Sequence, residues 1–372
     1  MKKVAGTVVS KTFEDLILEV HEKGLCGECG GCVSFCSAGE IKAIEMGESG
    51  PPKYVNKDKC LKCGICYYVC PQTHVLNEQL NRKYNYEPPI GNQLKVASCY
   101  ATSEEIRKKA TDGGAVTAIL SYLMDNKLID GAIVCKRKGP FNRASFLATT
   151  KEDLIKAAGS HFDFSSQVVG LEKYNTFIPA NIALKKVRSS DLLNIAVVGT
   201  PCQINSIRKM QTLSILPAHI VKYTFGLFCY LNFSFGDEER KKLEERFDFS
   251  FEDVESMNVR EDLILYFKNG NSQKITFPEL HDIGRPACYA CPDFSNIYAD
   301  ISFGGLGSPE KLTTAIIRTQ IGEKVYNDAL NKGYIKEPIE LNRPNNKMEI
   351  LAKVREWSNK KIERAEDTLK NE

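Results

Sequence analysis

The sequence of 372 residues lacks an excess of charge of either sign: Lys+Arg is 50 against Asp+Glu 47, a formal net charge of +3. So small a bias gives no support for a nucleic-acid binder, which needs clustered basic residues to displace counterions. A long apolar run is also missing. No stretch reaches the roughly 20 residues that cross a bilayer. A direct membrane span is therefore not expected, and membrane association would have to come through a partner. The opening MKKVAGTVVSKTFEDLILEV has two lysines, no unbroken apolar core and interspersed Glu and Asp, so it does not read as a signal peptide. A cytoplasmic location follows as the expectation, free or peripheral to a membrane complex. With 42% hydrophobic and 26% charged residues the chain is neither disordered nor fibrous, and its length suggests two or three domains.

Cysteine is what the chain has in abundance. There are 14, against 5 His and 1 Trp, and eight fall between positions 26 and 70. Without a signal peptide, in a chain this large, metal ligation is expected rather than disulfides. The eight form two repeats, Cys26-x2-Cys29-x2-Cys32-x3-Cys36 and Cys60-x2-Cys63-x2-Cys66-x3-Cys70. This is the bacterial ferredoxin spacing for two 4Fe–4S clusters. Three thiolates two residues apart wrap three corners of one cube, and the fourth points to the other cube. One cluster is then expected on Cys26, Cys29, Cys32 and Cys70, the other on Cys60, Cys63, Cys66 and Cys36. Ser37 stands where the second repeat has Pro71, which removes no ligand.

Residues 1–80 read as this two-cluster domain, and 81–98, polar with Pro88, Pro89 and Gly91, as a linker. From 99 to 310 strands such as VASCYAT, GAIVC, NIAVVGTP and HIVKYTFGLFCY alternate with helices such as SEEIRKKA, capped by Ser103, and AVTAILSYLMDN. That predicts a mixed α/β domain. Residues 311–372 read as a charged, helical extension whose stripe of Leu351, Val354, Trp357 and Ile362 docks on the body. Of the remaining cysteines, Cys99 and Cys135 sit in predicted strands and read as core. Cys202, Cys229, Cys288 and Cys291 lie at strand ends and in a C-x2-C pair. Spacing alone leaves a third cluster, a zinc site and buried free thiols open for these four.

The segments DGGAVTAIL (112–120), LIDGAIV (128–134), GSHFDFSS (159–166), GTPCQ (199–203), GLFC (226–229) and CYACPDFSNIYADISFGGLG (288–307) resemble the coenzyme F420 hydrogenase/dehydrogenase beta-subunit family. The resemblance covers about residues 95–310, in order. With the ferredoxin domain in front, the chain is most similar to input subunits of F420H2 dehydrogenases, and also to the N-terminal half of F420-dependent sulfite reductase. The resemblance implies archaeal, methanogenesis-linked electron transfer. It implies a ferredoxin domain fused to a mixed α/β FAD-binding domain with its own 4Fe–4S cluster, on Cys202, Cys229, Cys288 and Cys291. Thr111, Asp112, Gly113 and Gly114 are expected at a helix start, where free N–H groups suit the FAD pyrophosphate; the alternative there is an ordinary cap supplied by Asp112. The chain has Ser160-His161-Phe162 where the family usually has Ser-Lys or Ser-Arg and then Tyr. Ser160 and His161 are the remaining flavin candidates, His161 standing in for the basic residue.

The resemblance further implies that F420H2 gives a hydride to FAD. Single electrons then pass through three 4Fe–4S clusters to a protein acceptor such as a respiratory complex, heterodisulfide reductase or ferredoxin. No general base is demanded, and none is nominated. The alternatives are a ferredoxin-dependent flavin reductase of another substrate, like 7-hydroxymethyl chlorophyll reductase, and an electron adaptor without catalysis.

Overall fold

A computed structural model describes residues 11–38, 40–47, 50–137, 143–159, 162–163, 173–175, 181, 184, 192–259 and 262–370. An eight-stranded mixed sheet organises the body. In chain order its strands are β1 (Lys95–Ala101), β2 (Gly131–Arg137), β3 (Arg143–Ala148), β4 (Ile195–Gly199), β5 (Val221–Leu227), β6 (Ile301–Gly304), β7 (Thr313–Ile317) and β8 (Ile335–Lys336). In space they run β8-β1-β7-β6-β5-β4-β2-β3. The neighbours β6, β5, β4 and β2 are parallel, and the pairs outside them antiparallel. The α/β expectation therefore holds as a mixed sheet. Ile195, Ala196 and Val197 are buried on both faces of β4, and all of β7 is buried, as suits strands covered on both sides.

Five helices matter for the site: α1 (Gly31–Ala38), α2 (Asn77–Lys83), α3 (Ala115–Asp125), α4 (Pro201–Thr212) and α5 (Pro344–Lys370). On one face of the sheet, Ala118, Ile119 and Leu123 of α3 pack with Cys99, Ala132 and Phe225. On the other, Ile204 and Ile207 of α4 pack with Ile133, Val197 and Leu80. Cys99 is thus a core residue, while Cys135 is half-buried on β2. A smaller antiparallel sheet (Val254–Val259, Asp262–Phe267, Ser272–Thr276, with Phe162–Asp163) lies mostly between β5 and β6 in the chain and has its own core around Phe233, Leu263 and Ile275.

The Cys-rich segment holds α1, a short helix Ile65–Tyr68 and a ribbon of Ile44–Glu45 with Lys53–Tyr54. Its core is Phe13, Leu16, Val20, Val33 and Tyr67, with most of its cysteines packed around them. The stretch VAGTVV, whose apolar run reads as a short strand, lies outside the described residues. The stretch expected as a linker is packed instead: Ile90 is fully buried, Val96 is buried, and the sheet already starts at Lys95. The segment expected as a helical extension contributes β7 and β8 before α5, because TTAII is a five-residue run that the sheet buries whole. Among the described residues no helix is long and apolar enough to cross a membrane.

Candidate functional site

The two Cys repeats fold alike. Glu28 and Lys62 have φ of +50°, and the glycines after the second cysteines, Gly30 and Gly64, have φ of +80° and +73°. A side chain at positive φ is costly unless its surroundings fix it. The same turn twice brings backbone N–H groups round toward the sulfurs, in the manner of an anion-binding nest. Glu28 N–H donates to Cys26 Sγ at 3.4 Å, Ala43 N–H to Cys36 Sγ at 3.3 Å, and Tyr54 OH to Cys60 Sγ at 3.7 Å.

The thiols lie in two neighbouring groups. Burial pushes Cys32 well above an ordinary thiol pKa, and Cys29, Cys26 and Cys70 beside it push further. Cys66 is pushed up to about 12 by burial, with Cys63, Cys60 and Cys36 adding. Cys36, Cys60, Cys63 and Cys66 also line one cavity with Phe13, Phe35 and Ile44. Thiolates crowded this way repel one another, and a cationic iron core relieves that repulsion.

Cys202, Cys229, Cys288 and Cys291 are also brought together, at the carboxyl edge of the parallel strands. Cys202 is in the first turn of α4 just after β4, Cys229 two residues past β5, and Cys288 and Cys291 precede the loop into β6. Asn296 in that loop ties the edge: its Nδ2 donates to Gly199 O at 2.9 Å and Leu227 O at 3.2 Å. A Cβ at Gly226 would strike the Asn296 side chain, so glycine is required there. Asp293 accepts from Asn296 N–H at 2.8 Å, Asp300 accepts from Thr224 N–H at 2.8 Å, and Ser295 Oγ donates to Ile90 O at 3.1 Å. These three order the loop. Burial raises the Cys229 thiol to about 11 despite Lys361 nearby, and Cys288 and Cys291 act in the same direction as burial. Asn232 Nδ2 donates to Cys229 Sγ at 3.2 Å, and Thr200 Oγ1 lies 3.3 Å from Cys202 Sγ. Buried, mutually repelling thiols with donors aimed at sulfur fit a thiolate-held cluster. Among the described residues no three His, Cys, Asp or Glu side chains close on a point suited to one ion.

The three sets of thiols adjoin in series. A Cβ at Gly27 would lie 3.8 Å from Cys202 Sγ. Cys29 is the largest influence on Cys202 after burial, and Cys66 is among the neighbours of Cys32. Arg285 pairs with Glu28 at 2.9 Å across the same junction. From there the line ends at Cys63, which is exposed, beside Leu61, 70% exposed.

Thr111, Asp112, Gly113 and Gly114 lie at this carboxyl edge as well. Gly113 O accepts from Ala101 N–H at 2.7 Å, and a Cβ at Gly113 would lie 2.6 Å from Cys99 O. The cap of α3 is Gly114 at φ +75°, with no side-chain cap bond. Asp112 lies where a Cβ at Gly305, just past β6, would come within 2.7 Å of its Oδ2. At α4, by contrast, Gln203 Oε1 accepts from Thr200 N–H at 2.8 Å. At α3 the cap residue is a glycine, so it brings no side chain of its own to the first-turn N–H groups. Ser160 and His161 lie outside the described residues. A separate cleft of about 790 Å³ opens at the other edge of the sheet, where Arg208 and Asp300 pair at 2.9 Å.

Sequence reasoning missed two buried lysines. Lys209 on α4 is fully buried and its Nζ donates to Cys70 O at 2.7 Å; burial pulls its pKa down to about 8, with the Cys70 and Cys29 thiolates opposing. Lys361 on α5 is 1% exposed and donates to Cys229 O and Asp293 O. A lysine amid polar neighbours reads as solvated, and no sequence signal marks either one.

Residues 192–340 match the carboxy-terminal part of the coenzyme F420 hydrogenase/dehydrogenase beta-subunit family, residues 96–171 its amino-terminal part, and residues 53–72 a 4Fe-4S binding domain. The beta subunit of coenzyme F420 hydrogenase from Methanosarcina barkeri is 30% identical over 289 residues, 76% of this chain and 93% of that protein. The chain belongs to the coenzyme F420 hydrogenase/dehydrogenase beta-subunit family. Within and around this family, a subunit of the F420H2 dehydrogenase of Methanosarcina mazei is 25% identical over 358 residues, 92% of each chain. The coenzyme F420-dependent sulfite reductase of Methanocaldococcus jannaschii is 31% identical over 345 residues, 88% of this chain, and the chain spans 50% of that protein's length. Among solved structures, a chain of the F420-reducing NiFe hydrogenase complex from Methanosarcina barkeri has a TM-score of 0.63 at 29% identity, covering 77% of this chain and 94% of that one.

Proposed function

We propose that the chain is the F420-handling subunit of an oxidoreductase. It exchanges a hydride with coenzyme F420 at an FAD and passes single electrons through three 4Fe–4S clusters to a protein partner. FAD, when bound, interconverts the electron pair of a hydride and single electrons, which four-iron clusters carry one at a time. The observation that carries this reading is the serial order of the thiol sets, from the sheet edge beside α3 to the exposed Cys63.

The chain's own residues take the following roles. The start of α3, with Thr111, Asp112, Gly113 and Gly114, receives the flavin pyrophosphate on N–H groups. Ser160 and His161 are carried as flavin contacts on resemblance alone. Cys202, Cys229, Cys288 and Cys291 hold the cluster nearest that edge. Cys26, Cys29, Cys32 and Cys70 hold the middle one, and Cys36, Cys60, Cys63 and Cys66 the outer one. The buried walls keep water from the first two. The apolar rim at Leu61 meets the partner, in the way exposed apolar surface marks contact sites.

The test uses protein purified without oxygen, F420H2 and a one-electron acceptor. Growth of the 420 nm band, with two acceptor equivalents reduced per F420H2, is expected together with about twelve irons and one FAD per chain. Full loading without turnover would exclude F420 as substrate and leave a ferredoxin-linked reductase. No turnover and no flavin, even after FAD is added back, would leave an electron adaptor.

A further inference from the structure

The family match ends at residue 340, and α5 begins at Pro344. This helix nevertheless reaches the cluster nearest the sheet edge. Ile350 and Val354 anchor it against Ile90, Val96 and Ile316. Trp357 wedges edge-on against Tyr230 at 4.9 Å and tilts over Phe294 at 6.2 Å. One turn further, Lys361 enters the interior. Its Nζ donates to Cys229 O at 2.5 Å and to Asp293 O at 2.8 Å. Arg364 continues the row, donating to Tyr230 O at 2.8 Å and Cys288 O at 3.0 Å, with its guanidinium 4.3 Å over the Tyr230 ring. A single helix face thus binds the carbonyls of Cys229 and Cys288 themselves, of Tyr230 next to Cys229, and of Asp293 two residues past Cys291.

A fully buried ammonium costs several kcal/mol unless an anion faces it. Two neutral carbonyls orient Lys361 without cancelling its charge. The Asp293 carboxylate is turned to the N–H groups of Asn296 and Ile297. That carboxylate still feels the Lys361 charge, and the thiolates of Cys291, Cys229 and Cys288 favour the ammonium as well.

We propose that Lys361 is the built-in counter-charge of the cluster on Cys202, Cys229, Cys288 and Cys291, a positioning residue that raises that cluster's reduction potential. A four-iron cube with four thiolates is an anion, and reduction adds one more negative charge. A fixed cation beside it favours the reduced state more than the oxidised one, since cluster potential follows net charge, hydrogen bonding and burial. The proposal rests on reading these four thiols as a cluster site, and not on F420 as substrate.

The experiment is a redox titration of the full chain followed by electron paramagnetic resonance, with iron and sulfide assayed. Wild type, K361M and K361R are compared, and C202S identifies the signal that belongs to this cluster. K361M should retain about twelve irons and bind the electron roughly tenfold less well, a fall of about 59 mV for a one-electron couple. K361R, which keeps the charge, should stay near wild type. An unchanged potential in fully loaded K361M overturns the proposal. If K361M loses four irons, K361R decides: full loading there supports the counter-charge, whereas loss in both variants overturns it, because shape and not charge would then be at work. About eight irons in the wild type would refute the underlying cluster reading instead, which keeps the two failures distinct.

Discussion

The outermost and innermost thiol sets are built in opposite ways. Cys36, Cys60, Cys63 and Cys66 come from one short stretch of chain, reach the surface at Cys63 alone, and take their sulfur contacts from nearby backbone and Tyr54. Cys202, Cys229, Cys288 and Cys291 come from three separated segments at the edge of a sheet and are walled in by Asn232, Lys361 and Arg364. The first set needs only local turns, so its geometry travels with its motif. The second exists only when the whole body is folded. The exposed set suits exchange with a partner, and the enclosed one suits exchange with a cofactor that must be kept from water.

The largest test of this contrast removes one ligand from each set. Cys202→Ser should cost about four of twelve irons. It should also slow F420H2-driven bleaching of the two remaining clusters by more than the roughly 100-fold of an outer-shell change. Cys63→Ser should leave F420H2-driven reduction of the inner two clusters close to wild type. It should abolish electron delivery to a protein acceptor, read by stopped-flow absorbance. Equal slowing of inner-cluster reduction in both variants would show that the sets do not act in series.

The same contrast explains what could be read from the sequence. The ferredoxin spacing was legible because its constraint is covalent reach over a few residues. The strands β1, β4 and β5 were legible as apolar runs. The segment 81–98 looked like a linker because it is polar and carries two prolines, yet Tyr84 and Ile90 fasten it to different cores. On α5, apolar spacing picked Leu351, Val354, Trp357 and Ile362, but the buried row is Ile350, Val354, Ser358, Lys361 and Ala365. A lysine on that row is intelligible only once the thiols it faces are known, and those lie more than fifty positions away in the chain.

A smaller effect is expected where the two regions touch. Gly31 opens α1 against α4, and a Cβ there would collide with Ser206 Oγ and come within 3.2 Å of Met210. Ser206 is fully buried and has little room to yield. Gly31→Ala should therefore destabilise the junction by about 1–3 kcal/mol, the usual range for overpacking. Calorimetry of the loaded protein should show a lower Tm, and G31A/S206A should recover most of it by removing the oxygen. Failure of the double variant to recover would mean that the strain lies elsewhere in the segment.

The smallest effect separates the regions by pH. His21 packs edge-on against the buried Phe13 ring at 5.6 Å, and burial lowers its pKa from 6.5 to about 4. The folded segment thus keeps His21 neutral where the unfolded chain protonates it. Between pH 6.5 and 4 the unfolded state binds more protons, so stability falls as the pH falls through that window. Discounted for the solvent that still screens the ring, the loss between pH 7 and 5 is about 1 kcal/mol. His21→Gln cannot titrate and should flatten this dependence without touching a thiol, so comparing wild type and variant cancels the acid sensitivity of the clusters themselves. Thermal bleaching of the clusters at pH 7 and pH 5 reads the segment, and near-ultraviolet circular dichroism reads the body. A steeper pH dependence of bleaching in wild type than in H21Q, with body signals that coincide, would place the acid-sensitive step in the locally built region. Equal slopes would place it in the thiolates.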